Sequence, residues 1–129
     1  MKVLVLSNGE LKEKEIEDTL EELQKIVGGH IEIPLLSERF RDNVVDVIIN
    51  ENGKFIDELK PEIAIVDRKT EKILDIVYGN CIFASHNAEG ETTALSEEQI
   101  KIVKQELHMD IVLTYQDLRK QFKAKVLFV

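Results

Sequence analysis

The chain has 129 residues, 43% of them apolar and 33% charged, a globular composition that excludes a disordered chain and suffices for one domain with its own core. Its 17 basic and 25 acidic side chains leave a net charge of −8, which excludes a sequence-independent nucleic-acid binder, because such a protein needs a broad basic face to release counterions. A single cysteine excludes an internal disulfide, and the opening run MKVLVLS is too short for a signal peptide or membrane span, so a cytosolic protein without a membrane partner is expected.

Lys2 to Leu6 reads as a buried strand closed by the turn residues Ser7, Asn8 and Gly9. The segment EKEIEDTLEELQKIVGG then places Ile16, Leu20, Leu23 and Val27 on one stripe of an amphipathic helix, with acids in its first half and Gly28 as terminator. On that helix Glu13, Glu17 and Glu21 would share one solvated face. His30 to Leu35 alternates as a strand that stops near Pro34, and SERFRDN is a polar connection. In VVDVIINENGKF, Asn52-Gly53 signals a hairpin turn. IAIVDRKTEKILDIVYGNCIFAS supplies two strands around the polar turn Asp67 to Lys72 and a third after Gly79.

Two capped helices are expected next. Ser96 with Gln99 forms a capping box, and Leu95 can staple to Ile100. Thr114 with Asp117 repeats the signal, with Leu113 against Leu118. Ala124 to Val129 reads as a final strand. The expected fold is α+β: a single domain over residues 1–129, mostly antiparallel sheet, about three helices and a C-terminal strand.

A catalytic centre is not expected. If residues 81–85 form a strand, Cys81, Phe83 and Ser85 share one face while Ile82, Ala84 and His86 share the other, so Cys81 and His86 cannot meet as a nucleophile and its base. Cys81 then serves as a small apolar filler. His30, Cys81, His86 and His108 lack the paired spacing of a zinc site, so neither a metal nor a cofactor is expected. No GxGxxG or GK[ST] loop is present. An anion would therefore rest on side chains, and the arginines are Arg39, Arg41, Arg68 and Arg119, whose planar forks suit phosphate. Arg39 and Arg41 flank Phe40, which either faces a ligand with them or anchors a surface connection in the core. Phe83 is either a stacking platform for a purine beside the polar SHNAEGETT or an inward core residue.

Taken together and in order, EIEDTLEELQKIVGG, DIVYGNCIF and TTALSEEQI resemble a group of small phage and mobile-element proteins over residues 1 to 105. Within that group the chain looks most like the anti-Thoeris sponge proteins (Thoeris anti-defence one). The chain lacks the Asn-Arg pair that the broader group often carries before the glycine-turn strand, where it reads KPEIAIVDR. The resemblance implies a non-enzymatic protein that sequesters cyclic ADP-ribose-type nucleotides in the infected bacterial cytosol without cleaving them. It also implies a homo-oligomer (a dimer or higher, up to a hexamer) with pockets near subunit contacts. Carried onto this sequence, the ligand-binding residues are Phe83 as the adenine platform, Asn80, Thr92 and Thr93 beside it, and Arg41, Arg68 and Arg119 for charge.

Two other readings stay open. Residues 1–100 carry −11 and residues 101–129 carry +3, so an acidic protein-binding inhibitor of the DNA-mimic type is one alternative. A cyclic-nucleotide hydrolase with His86 or His30 as general base is the other.

Overall fold

The computed structural model describes residues 1–115 and 120–129. Two sheets face each other across a central core. The first has the order β2 (Glu10–Glu15), β1 (Lys2–Ser7), β7 (Cys81–His86), β4 (Asp46–Asn50), β3 (Ile31–Glu32), all antiparallel, with β8 (Thr92–Thr93) on the far half of β7. The second has the order β6 (Ile73–Tyr78), β5 (Pro61–Val66), β10 (Lys120–Phe128), β9 (Leu107–Tyr115), and only its β5–β10 contact is parallel.

The continuous apolar run of β1 is explained by burial on both faces. Leu4 and Leu6 point into the central core, while Val3 and Val5 meet Leu23 and Val27 of α1 (Leu20–Val27). The same alternation divides β7: Cys81 and Phe83 face the core, Ile82 and Ala84 face α1. The core is completed by Ile63, Ile65, Val77 and Leu127 from the second sheet, by Phe40 of α2 (Glu38–Asp42), and by Ile100, Ile102 and Val103 of α3 (Glu97–Glu106). An antiparallel-rich α+β domain, with three α-helices among the described residues and a C-terminal strand, is thus observed. No helix among the described residues is long and apolar enough to cross a membrane.

The capping box at α3 forms as expected. Ser96 Oγ accepts from Gln99 N at 3.1 Å, Gln99 Oε1 accepts from Ser96 N at 2.9 Å, and Leu95 and Ile100 are buried together. The strands on either side of Asp67–Lys72 and the strand after Gly79 also stand where expected.

Several expectations are corrected. The amphipathic segment is helical only from Leu20, after Thr19 caps it by accepting from Glu22 N. Its first part is β2, because Asn8 and Gly9 both take left-handed φ (52° and 78°), the two-residue turn that matches strand twist. Glu13, Glu17 and Glu21 therefore share no face. At Asn52-Gly53, where a hairpin turn is expected, a 3-10 turn (Gly53–Phe55) follows β4 instead. Glycine serves close approach there, since a Cβ would stand 2.7 Å from the Tyr78 carbonyl oxygen. The strand expected over His30 to Leu35 is only two residues long, and the polar connection SERFRDN contains a short helix capped by Ser37.

The helix expected after Thr114 is replaced by the β9–β10 hairpin, in which Thr114 pairs with Gln121 and Tyr115 packs its ring against Phe122 at 5.6 Å. β-Branched and aromatic cross-strand pairs outweigh a local capping signal. Asp117, Leu118 and Arg119 lie outside the described residues.

Candidate functional site

A wide cleft forms where three separate stretches of chain meet around α2. Ser37 starts this one-turn helix by accepting from Phe40 N at 3.1 Å. Phe40 is driven into the core, 2% exposed and edge-on to Phe83 with centroids 6.0 Å apart. With Phe40 fixed inward, its neighbours Arg39 and Arg41 are left at the surface. Of the two readings of Arg-Phe-Arg, the anchored connection is the one observed, and the anchor is what sets out the two guanidinium groups.

The second wall is the turn between β5 and β6. Asp67 Oδ1 accepts from Thr70 N at 2.9 Å and Lys69 N at 2.8 Å, and these bonds hold its carboxyl below the usual range. The folded turn presents Arg68 and Lys69 side by side. The third wall is the end of β10. Its parallel register sets Phe128 against Val66, and Arg68 N donates to the Val129 carbonyl at 3.0 Å. The Arg68 guanidinium then lies 5.8 Å from the centre of the Phe128 ring, a cation–π arrangement.

Together these walls line a cleft of about 700 Å3 that holds Arg39, Arg41, Arg68 and Lys69 against Glu38 and Glu106. Its volume falls within the range of about 300–1,000 Å3 typical of ligand pockets. Arg39 Nε is 3.1 Å from Glu106 Oε1 and Arg41 Nη2 is 3.2 Å from Asp42 Oδ1. Among the described residues, Arg68 and Lys69 have no carboxylate at ion-pairing distance. The cleft is therefore cationic within an acidic protein, with an aromatic ring already stacked beside one of its arginines.

A smaller recess of 140 Å3 adjoins it, sharing Leu35, Leu36, Ser37 and Arg41. Its rim carries Val44 and His86, and His86 Nδ1 lies 2.8 Å from Asp46 Oδ2. Val44 has φ 56°, which for a β-branched residue is a strained, left-handed backbone costing on the order of 1–3 kcal/mol. Three hydrogen bonds hold it: its N–H donates to Arg41 O at 3.1 Å, and its carbonyl accepts from Ser85 Oγ at 2.7 Å and Gln99 Nε2 at 3.2 Å.

The expected site residues thus separate. Arg41 and Arg68 come together. Phe83 does not join them: it is fully buried between the sheets, and the stacking platform assigned to it is corrected to a core role. The strand's inner face is closed by Phe40, so no ligand reaches its ring. Asn80 donates from Nδ2 to Ile26 O at 3.1 Å, satisfying a carbonyl in the last turn of α1 as Asn50 does for Val27. Thr92 and Thr93 pair with His86 and Ser85 in β8, away from the cationic lining. Cys81 is buried with Sγ 3.4 Å from Gly79 O, and burial pushes its thiol well above the usual range. Among the described residues no group of three or more His, Cys, Asp or Glu side chains could hold a metal ion.

Lys69 and Phe128 were missed as site residues. Lys69 could have been found as the second cation of a polar turn. Phe128 gave no local sign, because only a parallel pairing between segments some sixty residues apart brings it to Arg68.

A second cleft, about 440 Å3, is of mixed charge, with Glu10, Glu62 and Asp110 beside Lys60 and Lys123. Glu62, 3% exposed, accepts from Asn8 N at 2.9 Å and Gly9 N at 2.8 Å at its edge, with Asp110 beside it. Burial raises the Glu62 carboxyl above its ordinary value, and the two turn N–H groups oppose that shift. Those turn amides are already occupied by the Glu62 carboxylate.

The family model described as Domain of unknown function (DUF3846) matches residues 1–108. No curated protein and no solved structure matches the chain.

Proposed function

Starting from the DUF3846 family, to which the chain belongs, we propose that this protein is a sponge: it binds a phosphorylated, nucleotide-type signal of the cyclic ADP-ribose class and holds it without cleaving it. The observation that carries this reading is the convergence of Arg39, Arg41, Arg68 and Lys69 with the Phe128 ring in one cleft. Arginine forks match phosphate oxygens two at a time, and an aromatic face beside them suits a purine or an additional guanidinium stack. The resemblance to anti-Thoeris sponge proteins supports the same ligand class, with Phe128 in place of Phe83 as the aromatic group. Sequestration needs charge and complementary contacts but no aimed nucleophile, because equal binding of ground and transition states gives no rate. The site then works in a phage-infected cytosol as an antagonist of antiviral signalling.

The test is to titrate the protein with cyclic ADP-ribose isomers, heat-denature the complex and chromatograph the released ligand. Intact ligand is the expected outcome. A hydrolysed product would make the protein an enzyme, and absence of binding would remove the proposal. Arg68→Ala should weaken binding by about 10- to 150-fold, the equivalent of losing one charge-assisted contact of roughly 1.5–3 kcal/mol.

A further inference from the structure

The arginine cleft is open and crowded with charge, with four cationic and two acidic side chains among its lining, whereas binding sites for small molecules are mostly apolar with a few placed polar groups. A more strongly apolar space lies next door. Ile33, Leu35 and Val44 are 48%, 66% and 38% exposed, and all three line the adjoining recess with Pro34 and Val47. Leu35 and Arg41 belong to both spaces, so they form the sill between them. A ligand lying across that sill would keep its anionic groups on Arg39, Arg68 and Lys69 while its uncharged end covers the exposed aliphatic side chains.

Val44 gives the recess a second, independent mark. A valine at positive φ is a poor choice for a plain turn, where glycine or asparagine would relieve the strain. Here the strained backbone is fixed by Ser85 and Gln99, a network reaching from β7 and α3, and its side chain forms the rim. Backbone strain of this kind concentrates at functional sites. Beside it, His86 is oriented through Nδ1 by Asp46, which leaves Nε2 for the edge of a heterocycle.

We propose that the recess rimmed by Val44 and His86 receives the uncharged ring of the same ligand whose phosphates the arginine cleft holds, so that the complete site selects a phosphorylated nucleoside over phosphate alone. This rests on the reading of the arginine cleft given above and adds to it a specificity subsite.

The experiment compares inorganic pyrophosphate with cyclic ADP-ribose by calorimetric titration on the wild type, Val44→Gly, His86→Ala and Arg68→Ala. The wild type should bind the nucleotide at least about tenfold more tightly than pyrophosphate, from apolar surface covered in the recess. Val44→Gly should raise Tm, because it relieves the left-handed backbone, yet weaken the nucleotide about fivefold or more and leave pyrophosphate within about twofold. His86→Ala, at a surface position, should show the same split, and Arg68→Ala should weaken both ligands. Equal affinity for the two ligands, a lower Tm for Val44→Gly, or equal weakening of both ligands by Val44→Gly or His86→Ala overturns the ring subsite, while Arg68-dependent pyrophosphate binding preserves the arginine cleft. Failure of both ligands to bind the wild type overturns the cleft itself and the subsite with it.

Discussion

At the scale of single residues, the side chain that looked most like a ligand platform is a structural one. Phe83 has no accessible surface and meets Phe40 edge-on. Phe83→Ala should cost about 3–5 kcal/mol of stability in chemical denaturation. Its effect on ligand affinity should vanish once the folded fraction is corrected for. Glu62 makes a different prediction. Its folded carboxyl titrates above its unfolded value, so the native state binds the extra proton, and stability falls as pH rises through the window between the two values. Glu62→Gln removes that slope. Denaturation curves from just below the ordinary carboxylate range upward should show the variant's relative stability improving with pH and then levelling, above a constant offset from the loss of one of the two bonds that Glu62 accepts from the Asn8–Gly9 turn.

Elements with a covalently local cause were readable in the sequence. The α3 cap needs only Ser96, Gln99 and their own backbone, and Ser96→Ala should cost about 1 kcal/mol, with Tm lowered accordingly. The two faces of β7 followed from alternation alone. What escaped was set by partners distant in sequence. β2 carries charge on both faces because it is a solvated edge, so no apolar period marks it as a strand. The β9–β10 hairpin exists because β10 finds β5, a contact no local signal encodes. The candidate site divides the same way. Arg41 and Arg68 were legible as phosphate-binding residue types, whereas their meeting, and the arrival of Phe128 beside them, depends on the packing of α2, a turn and the last strand. The strain at Val44 was invisible, since valine itself announces nothing left-handed.

For the whole molecule, charge and edges decide between partners. On β2 the acids are interleaved with cations: Lys12 lies 3.0 Å from Glu10, and Lys2 and Lys104 both reach Glu13. A DNA-mimicking inhibitor would need an unbroken carboxylate track instead, and the cationic cleft gives the sponge the stronger support. The long edge strand β6 exposes Ile73 and Leu74, and Phe55 stands nearby at 83% exposure. The one charge on β6, Asp75, is paired with Lys54, and exposed apolar side chains on an edge strand favour pairing with another chain, which supports the homo-oligomer that the resemblance implies. Light scattering coupled to gel filtration should give a dimer or larger species that Leu74→Lys shifts toward monomer. A wild-type monomer at all concentrations would refute the association.

The parallel β5–β10 contact has a consequence for biosynthesis. β10, which begins more than fifty residues after β5 ends, sits between β5 and β9, in the interior of its sheet. While the ribosome still shelters residues 120–128, β5 has only β6 beside it, and Ala64 and Val66 lack the Val126 side chain that covers them in the finished protein. A nascent chain can build its first sheet early, yet the second cannot close until β10 has emerged, so translation products stalled or terminated before β10 should be handed to proteases rather than accumulate as folded fragments.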